Sequence, residues 1–275
     1  MVRAFQLEWL KLRNYRVFWI LIGMYLLSLL VVTSSGMFLL EWLKKVGADV
    51  EGLDPSMLPI YDFPDIWQNT TYLASFLKVL LGFIVIISVN NDLTYNMLRQ
   101  NIIDGISKRE FIISKLALIL FLALASSAFV FVAGLINGSI YSHPNGMIHM
   151  FDELEFIVAY FYDIVVFCTL AFLVALMIKK SGFAIISLFL YALMFEPILT
   201  LNFQYNSYFD GTLFQTLGPY FPISSLNNLI QVPFKKYIFQ EIVDDVPISA
   251  ILSSTGWLVI YITAIYYRLA KRDLK

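Results

Sequence analysis

Apolar residues are concentrated in six runs that short polar stretches separate. A helix that crosses a bilayer needs about 17–25 predominantly apolar residues, and each run is of this length. The runs cover residues 17–40, 72–90, 111–136, 156–178, 183–201 and 248–267. The pattern therefore predicts an all-α membrane protein with six transmembrane helices, organised as a single transmembrane domain over residues 1–275.

The composition indicates that lipid is the main solvent of this chain. Of its 275 residues, 59% are hydrophobic and 14% are charged, and the mean hydropathy is +0.75. A soluble domain of this size could not bury so much apolar surface. The net charge of −1 argues against a nucleic-acid partner. The single cysteine, Cys168, excludes an internal disulfide.

Lysine and arginine are distributed unevenly between the two ends of the runs. Fourteen of them flank one side and four flank the other, and Lys78 inside a run accounts for the last of the 19. Because positive charge collects on the cytoplasmic side of short loops, both termini are expected to be cytoplasmic. The expected location is the plasma or inner membrane, with several passes.

The first 16 residues combine aromatic and basic side chains. Phe5, Trp9 and Leu12 fall on one helical stripe, while Lys11 and Arg13 lie off it. One interpretation is an interfacial helix over residues 1–16 that turns the stripe to lipid and the bases to headgroups. The other is a positive flank that only orients the first span. The sequence leaves both open.

The polar stretch between the second and third runs is strongly punctuated. Residues 92–103 can form a short helix, and Gly105 suits the left-handed conformation that ends one. Ser107 and Glu110 have the spacing of a capping box, which begins a new helix. The prediction is a helix, a sharp turn and a second helix that enters the membrane.

These segments resemble the permease subunits of type-2 ABC exporters. In that family a Thr-x-x-x-Leu element precedes Gly-x-Ser-[Lys/Arg]-Arg-Glu-Phe and then Ser-Lys. The matching positions here are 94–98, 105–111 and 114–115. Residues 218–229, GPYFPISSLNNL, are similar to the family's proline-containing external re-entrant helices. The family often has a glutamate near the start of the loop, where this chain has Asn-Asn-Asp at 90–92.

The resemblance implies a half-transporter. A second copy or a related permease would complete the pathway, and a separate ATP-binding ABC subunit would dock under each. A coupling helix in the loop would contact that subunit, and segment 202–247 would carry the external re-entrant helices. The residues implied in the contact with the ATPase are Asp92, Thr94, Met97, Leu98, Arg99, Ile103, Gly105, Lys108, Arg109 and Glu110.

The sequence contains no Gly-x-x-x-x-Gly-Lys-[Ser/Thr] phosphate loop. No cofactor and no enzymatic activity are therefore expected in this chain. ATP and Mg²⁺ are expected in the partner ATPase.

Three ionisable residues interrupt the apolar runs: Lys78, Asp163 and Glu196. At ~1.5 Å per residue they lie about 9, 10 and 8 Å below the same outer surface. Charges at depth are candidates for function, so this outer-leaflet polar cluster could gate the pathway or contact a cationic group. A structural ion pair, or a lysine that extends to the headgroups, is the alternative. Pro197 is expected to kink the fifth span.

The histidines, His143 and His149, lie in an outer loop. Their spacing is not a standard metal-ligand pattern, so a solvated loop is expected there.

Two alternatives to the exporter stay open. The chain could be an ion-coupled secondary transporter that uses Asp163 and Glu196, although no internal repeat is evident. A third possibility is a membrane assembly subunit that does not transport.

Overall fold

A computed structural model describes residues 2–46, 61–94, 107–144, 146–209, 211–233 and 245–271. Within these residues all regular structure is helical, which confirms the predicted all-α class. The first five helices are α1 Val2–Arg13, α2 Arg16–Val46, α3 Ile66–Ser75, α4 Lys78–Thr94 and α5 Lys108–Tyr141. The remainder are α6 Glu155–Met177, α7 Ser181–Leu190, α8 Glu196–Tyr205, α9 Leu213–Leu217, α10 Pro222–Asn227 and α11 Ile248–Ala270.

Five described helical segments are long and apolar enough to cross a membrane, and a bent pair could be a sixth. The pair is α3 with α4, whose axes differ by 44° at a two-residue break. At the break, the amide of Leu77 donates to the carbonyl of Ala74 at 3.0 Å, which is the tighter spacing of a 3₁₀ turn. This bend lies inside the predicted run 72–90, and the helix begins six residues before that run.

Helix α6 is the most buried of these segments and forms the centre of the molecule. It packs against α3, α4, α5 and α11. Small residues allow helices to approach closely in lipid, and Gly82 of α4 illustrates this. A Cβ atom at Gly82 would lie 2.9 Å from the ring of Phe167 on α6.

Gly134 and Gly138 of α5, which the sequence suggested as packing positions, have the same role. A Cβ at Gly134 would lie 2.7 Å from the Trp67 ring, and one at Gly138 would overlap the Phe63 ring. The absence of a side chain at these glycines makes room for the ring of Trp67 in α3 and for that of Phe63 just before α3.

The fifth apolar run forms one long helical segment with an irregular centre. Residues Tyr191–Phe195 make a π-helical turn between α7 and α8. Pro197 follows this turn after Glu196 and has no amide proton to continue the α-helical hydrogen bonding. The structure shows a widened turn on the N-terminal side of Pro197, and the kink expected at Pro197 stays a prediction.

Helix α1 packs on α2 and α5. Leu12 is buried, and the Trp9 ring makes edge contacts with Trp19 and Phe121 at centroid distances of 6.5 and 5.6 Å. The interpretation that turned the Trp9–Leu12 stripe to lipid is therefore wrong for Leu12. Glu8 lies on the same side of the helix as Leu12 and forms an ion pair with buried Lys115 of α5, so this side of α1 faces the protein.

Candidate functional site

Four charged side chains meet in the protein interior at the end where α1, α4 and α5 come together. We call them the basal ion network: Glu8 and Lys11 on α1, Asp92 on α4 and Lys115 on α5. Two carboxylates face two ammonium groups, so the network has no formal net charge. The spacing of Glu8 and Lys11 puts both on one face of α1.

Lys115 is the centre of this network. Its side chain is 1% exposed, and its Nζ lies 2.6 Å from Oδ2 of Asp92 and also contacts Oε1 of Glu8. Nζ donates to the Ser88 hydroxyl at 2.8 Å, and that hydroxyl donates to Glu8 at 2.8 Å. Lys11 closes the network from its more exposed edge, 3.0 Å from Oδ1 of Asp92.

The basal ion network joins the two helices between which the predicted coupling segment runs. Asp92 lies in the last turn of α4, and Lys115 lies in the second turn of α5. Residues 95–106 connect these helices, and Met97, Leu98, Arg99, Ile103 and Gly105 lie outside the described residues. The network therefore fixes both flanks of that segment to each other and to α1.

The described members of the predicted contact have different environments. Thr94 is exposed, whereas Asp92 is buried within the network. Glu110 and Ser107 form the expected capping box, which confirms the predicted start of α5.

Two bases at the start of α5 reach the end of α11. Nζ of Lys108 donates to the carbonyl of Ala270 at 3.3 Å. Nη2 of exposed Arg109 donates to the Tyr266 hydroxyl at 3.3 Å, and its guanidinium lies over the ring at 5.9 Å. The C-terminal helix is therefore linked to the same end of the molecule.

At the other end of the molecule, Lys78 and Asp163 form a buried ion pair. Nζ of Lys78 lies 2.7 and 3.0 Å from the two carboxylate oxygens of Asp163. Lys78 is 5% exposed, so its ammonium does not extend to headgroups. Phe167 covers the pair from one side, with its centroid 5.6 Å from Nζ.

A cavity of about 390 Å³ opens beside this pair. Asp163 contributes to its wall, and polar groups come from Asn227, at the end of α10, and from Asn228 and Gln231 just after it. The cavity can accommodate a hydrophilic group. The lysine already neutralises the carboxylate at its wall.

Glu196 is bound elsewhere, to the beginning of α10. Its Oε1 accepts from the amides of Ile223 and Ser224 at 2.6 and 2.8 Å. The sequence grouped Lys78, Asp163 and Glu196 by depth, and the structure forms one ion pair and one separately bound carboxylate. The helix dipole makes an N-terminal turn favourable for this negative charge.

We expect Glu196→Ala to release the beginning of α10, because two backbone amides would lose their charged acceptor. Hydrogen exchange at Ile223 and Ser224 should then accelerate on the order of tenfold or more. Asn202→Ala is the matched control on α8, because its side chain donates to a carbonyl of its own helix, that of Ile198 at 2.9 Å. Unchanged exchange in Glu196→Ala would show that other contacts hold α10.

A cluster of hydroxyl groups that the sequence did not reveal lies between α2, α5 and α6. The Tyr160 hydroxyl is 3.1 Å from that of Tyr25 and 2.9 Å from that of Ser126, and Tyr25 also contacts Ser126. Each is buried. They lie 34 to 135 positions apart along the chain, so no local pattern predicts the cluster and only the fold brings them together.

The two histidines pair with different aspartates. Nδ1 of His143 lies 2.8 Å from Asp62, and that of His149 lies 2.7 Å from Asp152. Partial burial alone would raise the pKa of Asp62, but hydrogen bonds from His143 and Ser142 outweigh it and lower the pKa. Within the described part of the chain, no group of three ligand-type residues could hold a metal ion.

The comparison with known families agrees with a membrane transport component. The family model described as ABC-2 family transporter protein matches residues 4–196, which is well over half of the chain. That range includes the basal ion network and ends at Glu196. No curated protein matches the chain. With its multi-pass helical architecture, the chain belongs to the ABC-2 family of transporter proteins.

Proposed function

We propose that this protein is the permease subunit of an ATP-driven exporter. Two copies, or one copy with a related permease, form the pathway through the membrane. Separate ATP-binding subunits, which carry the ATP and Mg²⁺, dock from the cytoplasm on the segment 94–110, next to buried Asp92. The protein itself supplies the path and the docking site and has no catalytic group.

The observation that carries this proposal is the basal ion network. A force on the segment 95–106 reaches α4 and α5 directly, because these helices are its two flanks. Lys115 ties both helices to α1 through Glu8 and Asp92. The three helices would then move as one unit when the ATPase closes, which is the rigid-body type of transition.

The outer half supplies features that a pathway needs. The polar cavity beside Asp163 lies next to the bend between α3 and α4. The segment from α9 to α10 is attached on two sides, by Glu196 and by the Trp257 indole, which donates to the carbonyl of Tyr220 at 2.8 Å. A change at these attachments would open or close the outer end.

The same contacts weigh against an ion-coupled carrier. Lys78 neutralises Asp163, and Glu196 is occupied by two backbone amides. A coupling carboxylate must exchange its ion during each cycle. Neither carboxylate is free to do so without breaking a buried contact.

The test is to purify the protein gently from native membranes through a tag after Lys275. We expect an ATP-binding subunit at a ratio near one to one, with ATPase activity. Arg109→Glu should release that subunit, because it reverses an exposed charge at the docking site. Lys180→Glu is the matched control, since Lys180 is an exposed cation that lies over Phe183 at 5.8 Å, much as Arg109 lies over Tyr266 at 5.9 Å.

Two results would contradict the proposal. The protein could purify without a nucleotide-hydrolysing partner. Alternatively, Arg109→Glu and Lys180→Glu could retain the partner equally well, which would move the docking site away from the start of α5. Equal thermal stability of both variants is required before the comparison is made.

A further inference from the structure

A groove of about 250 Å³ lies between α1, α2 and α5 on the outside of the helix bundle. Trp9 of α1 and Trp19 of α2 form its rim, and Phe121 and Ala125 of α5 form its far wall. The Trp19 and Phe121 side chains are 48% and 39% exposed. The groove is therefore open at the surface of the helix bundle.

The floor of the groove is apolar although it contains hydroxyl-bearing residues. Tyr25 and Ser126 line it, but their hydroxyls bond to each other and to Tyr160. Because these polar groups are satisfied inside the protein, the groove needs no hydrogen-bonding ligand. Its chemistry suits a hydrocarbon chain.

The length of the groove matches one leaflet of a bilayer. The residues of α2 that line the groove run from Phe18 to Leu26, over which the helix rises roughly 12 Å at ~1.5 Å per residue. Half of a hydrocarbon core of ~30 Å is about 15 Å. A chain that enters at the Trp9–Trp19 rim would end near the bilayer centre.

The rim carries positive charge. Exposed Arg13 and Arg16 lie at the junction of α1 and α2, and the Trp19 indole donates to the carbonyl of Arg13 at 2.9 Å. Tryptophan is typical of the headgroup level. Bases at this level attract anionic lipid headgroups.

We propose that this groove binds one acyl chain of an anionic phospholipid, with the headgroup phosphate at Arg13 and Arg16. The site holds a lipid of the leaflet in which α1 lies, and it is separate from the transport pathway. It does not depend on an ATPase partner, so the two proposals can fail independently.

The test uses the purified full-length protein in mixed micelles. Phosphatidylglycerol and phosphatidylcholine with the same diazirine-bearing acyl chain are photolysed, and the labelled peptides are identified by mass spectrometry. We expect labels on α2 and α5 around the groove, with a preference for phosphatidylglycerol on the order of tenfold from two bases. The double variant Arg13→Gln/Arg16→Gln should remove the preference, and Lys179→Gln, an exposed base elsewhere, should retain it.

A second set of variants fills the groove. Ala125→Phe should reduce labelling roughly fivefold or more, because a phenyl ring would occupy the space of the chain. Ala128→Phe is the matched control, since Ala128 is exposed on the same helix and does not line the groove. If Ala125→Phe folds poorly, Ile22→Trp fills the groove from α2 instead.

Three outcomes would overturn the proposal. The first is equal labelling by both lipids in the unmodified protein. The second is labelling that Ala125→Phe and Ile22→Trp leave unchanged. The third is rapid disulfide formation between two copies that carry Ala125→Cys, which would show that a second protein chain covers the groove.

Discussion

Replacing Lys115 by methionine is expected to destabilise the protein more than any other single change at the basal end. With this substitution the buried Glu8 carboxylate loses its ion pair with Lys115, and buried Asp92 keeps its pair with the more exposed Lys11. Removing one partner of a buried ion pair typically costs about 3–5 kcal/mol. Thermal unfolding in detergent should therefore begin at a clearly lower temperature, and hydrogen exchange in α1 should accelerate.

Two further variants make this prediction specific. Lys180→Met removes an exposed lysine and should leave the unfolding temperature nearly unchanged. The triple variant Glu8→Gln/Asp92→Asn/Lys115→Met removes the buried charges together and should recover most of the lost stability, because neutral groups of similar size avoid the desolvation cost. If Lys115→Met and Lys180→Met unfold at the same temperature, the network does not stabilise the contact between α1, α4 and α5.

The network also has a consequence for coupling that stability alone would not reveal. If α1, α4 and α5 move as one unit, the triple variant should fold and yet couple poorly, because its hydrogen bonds are weaker than the ion pairs they replace. ATP turnover of the co-purified complex would fall while the unfolding temperature stays near that of the unmodified protein. Equal turnover in the two proteins would limit the network to a structural role.

Hydrophobic pattern and capping signals predicted the all-helical class and the start of α5, because both signals act locally. The capping box at Ser107 and Glu110 depends on four consecutive residues, so it can be recognised without a fold. The start of α3 was missed because Gln68, Asn69, Thr70 and Thr71 lower the hydropathy of its first turns. In the structure the Thr70 hydroxyl bonds to the carbonyl of Ile66 at 2.6 Å, which satisfies it within the helix.

The partners of the charged residues could not be predicted from the sequence, since they depend on the rotation of each helix about its axis. Depth arithmetic put Lys78, Asp163 and Glu196 at one level, and Lys78 and Asp163 do meet. Depth says nothing about which neighbour a side chain faces, however, and Glu196 faces α10. Glu8 and Lys115 are 107 positions apart, so no spacing rule could have joined them.

Replacing Lys78 by methionine is the second change with a large expected effect. It leaves the Asp163 carboxylate, which is 1% exposed, without its ion pair in the core of the outer half. As for Lys115, the free energy of unfolding should fall by about 3–5 kcal/mol if the Asp163 carboxylate keeps its charge. Expression in the membrane and the unfolding temperature should both fall.

The double variant Lys78→Met/Asp163→Asn distinguishes between two roles of the ion pair, a structural role and a role in the transport pathway. Removing both charges should restore folding, because the remaining amide has no charge to desolvate. We expect ATP turnover of the complex to recover along with folding. The two charges neutralise each other in the unmodified protein, so removing both leaves no charge unpaired. A double variant that folds normally but does not support turnover would instead show that the pair takes part in the transport cycle, with the cavity beside Asp163 as the place where the substrate passes.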